Sequence, residues 1–128
     1  MSTKIKFKLI QSYLDAVADN ANLDVTGSPH KAFWNVPYTD FVSGVIPNVK
    51  CKGNPIPIID KQNPGSSPFY VILTSTTGFC NIEQMPATGP YIVDPGYKVT
   101  LADGTALTGV KIQQDIQEWL NNGFPENP

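Results

Sequence analysis

Eight of the twelve prolines in this chain lie between Pro47 and Pro95, and they limit what its middle can become. A proline has a fixed φ and no backbone N–H. It therefore breaks a helix interior and is excluded from the centre of a sheet. Residues 44–96 cannot form a long helix or a wide sheet, and most of the ten glycines add to the same effect. A chain of 128 residues suits one modest core, so the expectation is a single domain over 1–128, loop-rich in the middle and built from short helices.

The ends carry the periodic signal. Ile10, Tyr13, Leu14, Val17 and Ala18 recur at helical spacing, which predicts a helix over about 6–20, with Ser2 or Thr3 as candidate caps. Residues 4–9 alternate strictly, so the first turn is open to a strand reading. Ser28-Pro29 is a cap-and-first-turn pair that predicts a short helix from His30 to Trp34. Pro37 precedes a second short helix, Tyr38 to Ser43, stopped by Gly44. Residues 47–65 read as extended loop with at most one strand. Ser66-Ser67-Pro68 repeats the capping signal ahead of Phe69–Leu73, which periodicity leaves between helix and strand. Tyr97 to Leu107 reads as a hairpin turning at Asp103-Gly104.

The last element is the plainest. Val110, Ile112, Ile116, Trp119 and Leu120 form one apolar face over 108–122. Gly123 supplies a left-handed cap, Phe124 the apolar contact beyond it, and Pro125 a stop. The expected fold class is thus mainly α: a small helical domain with long proline-rich loops and one short β-hairpin.

Several functions are disfavoured by composition. All nine basic residues are lysine and the net charge is −2, so the basic, arginine-bearing surface of a nucleic-acid binder is lacking. No apolar run approaches a membrane span, and residues 1–8 lack the apolar stretch of a signal peptide. The default expectation is no membrane insertion and a cytoplasmic location. Cys51 and Cys80 modify it: they read either as two buried thiols or as a disulfide, the latter implying an oxidising, extracellular setting. A single histidine excludes a multi-histidine metal centre, and no phosphate loop, EF-hand or catalytic signature is present. Asp15, Asp19 and Asp24 read as solvated. The chain reads as no enzyme.

The residues that point furthest are His30, the only histidine, and Met85, the only methionine besides Met1. By themselves they read as a surface histidine and a core-filling methionine. In order, however, the chain has a first helix, TGSPH, a serine-proline-capped SSPFYVIL, QMP before GPY, and a helix ending WLNNGFPEN. This resembles the cytochrome c-like domains, in particular bacterial haem domains that run through S-x-x-Y-x-x-L and M-P-x-x-G-P and end I-x-x-W-I-x-x-G-A-P. The likeness runs in order over roughly residues 5 to 127, with its motifs concentrated after Ser66.

The resemblance implies His30 as proximal and Met85 as distal iron ligand. It places Thr26 and Pro29 where the attachment motif CxxCH has its cysteines. Neither can form a thioether, and Cys51 and Cys80 have the wrong spacing to replace them, so covalent haem is excluded. Three expectations follow. The first is a non-catalytic structural or interaction module without cofactor, its haem space filled by side chains such as Phe33, Trp34 and Tyr70, acting through a protein partner or self-assembly. The second is an electron carrier holding haem non-covalently through His30 and Met85. The third is a disulfide-stapled subunit of an extracellular or virion assembly.

Overall fold

The computed structural model describes residues 4–21, 33–80, 82–85 and 90–127. Helix α1 spans Phe7–Asn20 and buries Phe7, Ile10, Tyr13, Leu14 and Val17 on one face, as its periodicity requires. Its N-cap is Lys6, which offers no capping side chain. Helix α2, Tyr38–Ser43, follows Pro37 and ends at Gly44. Strands β1 (Val45–Cys51) and β2 (Asn54–Pro57) come next, then a short 3₁₀ turn, Pro64–Ser66, and helix α3, Pro68–Thr74. Strands β3 (Lys98–Thr100) and β4 (Ala106–Thr108) lead directly into α4, Gly109–Asn121.

The expectation of a mainly α domain with one hairpin is overturned: the chain is an α+β mixture of four helices and two antiparallel two-stranded sheets among the described residues. The second hairpin, β1–β2, lies where prolines argued for loop. Its register pairs Lys50 with Pro55 and Cys51 with Asn54, and is irregular between Val45 and Lys50. In a two-stranded ribbon both strands are edges. A proline can therefore turn its missing N–H away from the partner, and the rule against proline holds only for central strands. The tip, Lys52-Gly53, has φ of 53° and 82°, the two left-handed residues of a type I′ turn, whose twist suits a hairpin. The segment Phe69–Leu73, undecided from sequence, is helical.

Serine-proline capping at α3 works differently from the sequence reading. Ser67 stands at the N-cap position but its side chain makes no capping bond. Instead its fully buried hydroxyl accepts from the Asp60 N–H at 3.0 Å and donates to the Pro64 carbonyl at 2.7 Å. It ties the loop before the helix rather than the helix itself. The corresponding Ser28-Pro29 pair lies outside the described residues.

At α4 the expected C-terminal devices are present, although Val110, expected on its apolar face, is exposed. Thr108 caps the start, its hydroxyl accepting from the Lys111 N–H at 3.2 Å. At the far end Phe124 N–H donates to the Trp119 carbonyl and Gly123 N–H to that of Leu120, the paired bonds of a Schellman motif, with Gly123 at φ 89°. Gly109 opens the helix pressed against the 92 loop: a Cβ there would overlap the Ile92 carbonyl.

One buried cluster joins all of these elements. Trp119, fully buried, lies 6.2 Å centroid to centroid from Phe7 of α1 and from Phe41 of α2, and Phe41 lies 5.3 Å edge-on from Phe69 of α3. Sheet β3–β4 packs β3 on α1 and β4 on α4. The Trp119 Nε1–H donates to the Pro125 carbonyl at 2.8 Å, so its one polar atom is satisfied. Trp119→Ala should therefore destabilise the protein by about 3–5 kcal/mol. Val110→Ala, on the same helix but 62% exposed, should stay within about 0.5 kcal/mol. Urea unfolding of the two variants checks the contrast.

Candidate functional site

Met85 is held by its neighbours rather than by its own side chain. Its N–H donates to the Ile72 carbonyl at 2.9 Å, and the buried Gln84 amide donates to the Leu73 carbonyl at 3.2 Å. Both bonds anchor the Gln84-Met85 loop to the end of α3, and Met85 packs half-buried against the core. His30, Thr26 and Pro29 lie outside the described residues, so the structure does not place the two expected ligands relative to one another. No group of three or more His, Cys, Asp or Glu side chains able to hold a metal occurs among the described residues.

The aromatic residues expected to fill a haem space divide into two sets. Phe33 stacks on Phe41 at 6.5 Å and meets Trp34 edge-on at 5.3 Å, so both border the Trp119 cluster. Tyr70 packs at the edge of the core instead. Its hydroxyl donates to the Gln113 carbonyl at 3.4 Å, and it lines an open groove with Gln113, Gln114, Gln117, Glu118 and Asn121 of α4. Gln113 and Gln117 already spend their amide N–H groups on the carbonyls of Ile92, Gly109 and Gly65.

Cys51 and Cys80 form a disulfide, with Cα atoms 5.6 Å apart. It joins the end of β1 to the loop after α3 and closes 29 residues of chain. A loop of that length is worth about 3–4 kcal/mol in the chain-entropy account. Cys80 sits in a tight turn in which Phe79 and Ile82 exchange backbone hydrogen bonds, 2.9 and 2.8 Å. Gly78 beside it is buried with φ 74°, and a Cβ there would overlap the Ile82 carbonyl.

Several acidic side chains are committed to structure. Asp15, read from sequence as solvated, accepts from the Trp34 Nε1–H at 2.7 Å and the Asn35 amide at 2.9 Å, fixing the residues before α2 onto α1. Asp60 accepts from the N–H groups of Gln62 and Asn63, and Asp94 from that of Tyr91. Exposed Asp103 accepts from Thr105, whose hydroxyl and N–H hold its carboxyl below the usual range.

The least expected group is Asp115, buried on the apolar face of α4. The Tyr13 hydroxyl donates to its Oδ2 at 2.5 Å, and Lys111 lies 3.0 Å from its Oδ1. Both oxygens are thus paired, which is what a buried carboxylate requires. Its place was readable, because residues 112, 115, 116 and 119 share one helical face; the sequence reading took only the apolar ones.

No protein-family model, curated protein or solved structure matches this chain. No helix among the described residues is long and apolar enough to cross a membrane.

Four tyrosines are shifted in one direction. Burial raises Tyr13, and the hydrogen bond and negative charge of Asp115 raise it further. Burial also raises Tyr38, with help from Glu126, and Tyr70. Burial raises Tyr97, whose hydroxyl has no well-aligned hydrogen-bond partner. The Asn20 side chain offsets part of that rise and the charge of Asp94 adds to it. A raised folded-state pKa means the unfolded chain loses these protons first. The tyrosine contribution to stability is therefore constant below the ordinary value near 10 and is lost as pH rises beyond it. The urea midpoint should fall between pH 8 and pH 11, and Tyr13→Phe should lessen that fall. An unchanged midpoint at pH 11 would contradict the assignment.

Proposed function

We propose that the chain is a non-catalytic structural or interaction module that keeps the helix order of a cytochrome c-like domain without its haem, and that it works through a protein partner or through self-assembly. The observation that carries this reading is the Trp119 cluster, in which Phe7, Phe41 and Phe69 converge from three other helices on the centre of the molecule. A small domain that dispenses with a large planar cofactor needs apolar side chains in its place, and four aromatic rings supply that area. The commitment of Asp15, Asp60, Asp94 and Asp115 to hydrogen bonds within the fold supports a platform rather than a reaction centre.

Covalent haem does not fit this chain: the two cysteines are bonded to each other, and Thr26 and Pro29 have no thiol. The disulfide supports a second strand of the reading, a subunit stapled for an oxidising, extracellular or virion-type setting.

Haemin titration of the purified protein, followed by visible absorbance in oxidised and reduced states, separates the module from an electron carrier. The expected result is no saturable binding. A sharp reduced α-band that disappears in both His30→Ala and Met85→Ala would replace the module with a non-covalent haem protein. Sedimentation velocity over a range of concentrations then divides self-assembly, seen as a concentration-dependent larger species, from attachment to a different protein.

A further inference from the structure

We infer that the Cys51–Cys80 bond is a redox-sensitive clasp, whose reduction by a dithiol frees the β1–β2 tip and residues 75–83 while the helical core stays folded. Three observations converge on it. Lys52, Gly53, Asn54 and Pro55 are all exposed and Cys51 and Cys80 are half-buried, so a small reductant can reach the bond.

Backbone strain is also concentrated there. The non-glycine residues with positive φ among those described are Lys52, Cys80 and Phe124, at 53°, 50° and 43°. Two of the three stand at this one junction. An L-residue adopts that region at a cost and keeps it only where surrounding structure compels it. At Lys52 the type I′ hairpin turn itself calls for it; at Cys80 the bond holds a left-handed residue in a tight loop turn. A reachable bond on a strained residue is one that exchanges readily.

The aromatic centre, finally, is built from other residues, and Cys51, Phe79, Ile82 and Met85 only border the core, partly buried. The Trp119 cluster and the Tyr13–Asp115 bond use none of residues 50–55 or 75–85. The loop stays attached through Met85 and Gln84 at its far end. Loss of the bond therefore releases two segments of the molecule and leaves the rest assembled, as in a sub-global opening.

The chemistry is thiol–disulfide exchange. A thiolate of the dithiol attacks one protein sulfur, the other leaves as a thiolate, and a mixed disulfide forms. The second thiol of the reagent then displaces the remaining protein sulfur. Two electrons and two protons pass to the protein, giving two cysteine thiols, and the dithiol becomes a cyclic disulfide.

The test is hydrogen exchange by mass spectrometry on the full chain, with and without dithiothreitol and without denaturant, alongside iodoacetamide trapping. Both cysteines should alkylate. Exchange should quicken by about tenfold or more in residues 50–55 and 75–83 and change little in α1 and α4. The double variant Cys51→Ser, Cys80→Ser should show the reduced pattern without any reagent. Alkylation that waits for denaturant would overturn the proposal. So would quickened exchange throughout α1 and α4, a variant that does not fold, or reduction with no change in exchange.

Discussion

The indole of Trp119 is the point on which the rest of this structure depends. Its ring is the only one that touches both α1 and α2 while belonging to α4, and its Nε1–H reaches past the helix end to the Pro125 carbonyl. That bond holds the tail in place, and the tail in turn accepts from the Phe7 N–H at Glu126 and from the Tyr38 hydroxyl at Phe124. A single side chain thus organises an apolar centre and a polar perimeter together. The Schellman bonds at Gly123 and Phe124 make this possible by turning the chain back beneath the ring, where Phe124 packs at 6.3 Å.

A second layer of order comes from carboxylates used as internal fasteners. Asp15 fixes the residues before α2 onto α1, and Asp115 fixes the middle of α1 onto the middle of α4. Since Phe7 meets Trp119 while Tyr13 meets Asp115, α1 and α4 run in opposite senses where they touch. Sheet β3–β4 then flanks both helices. Asp15 acts from the exposed face of α1, whereas the buried pairing of Asp115 with Tyr13 specifies one arrangement of helices where apolar contact alone tolerates several.

How much of this could be read in the sequence depended on whether the deciding force was local. α4 is legible because periodicity, Gly123 and Phe124 all act within a few residues of one another; only Val110, at its first turn, departs from the expected face. α1 and α2 are legible for the same reason. The β1–β2 hairpin is not: three prolines mask it, and the turn at Lys52-Gly53 carries a weak signal because glycine there follows a lysine rather than Asn or Asp. Ser67 was seen as a cap because spacing cannot distinguish a hydroxyl facing its own helix from one facing the preceding loop. Of the candidate sites, the cysteine pairing stood among the open alternatives and is a bond. The role of Asp115 is hidden in the sequence because a carboxylate on an apolar helical face carries no local sign of its partner, Tyr13, 102 residues away. Met85 sits where its neighbours pin it, and nothing in its own spacing foretold the bonds made by Gln84 and the Met85 amide.

The hydrogen bond between Phe7 and Glu126 has a consequence for how this domain can be carried. Polypeptide entering at Phe7 and polypeptide leaving at Glu126 do so from one spot on the surface, however far apart they stand in the sequence. A domain with that geometry can be spliced into a loop of a larger protein like a bead knotted into a thread, leaving the host's two flanking segments side by side. It can equally hang from an assembly by paired stalks, with the β1–β2 tip and the amide-lined groove of α4 available as separate faces. The same closure that protects Trp119 thus makes the fold portable.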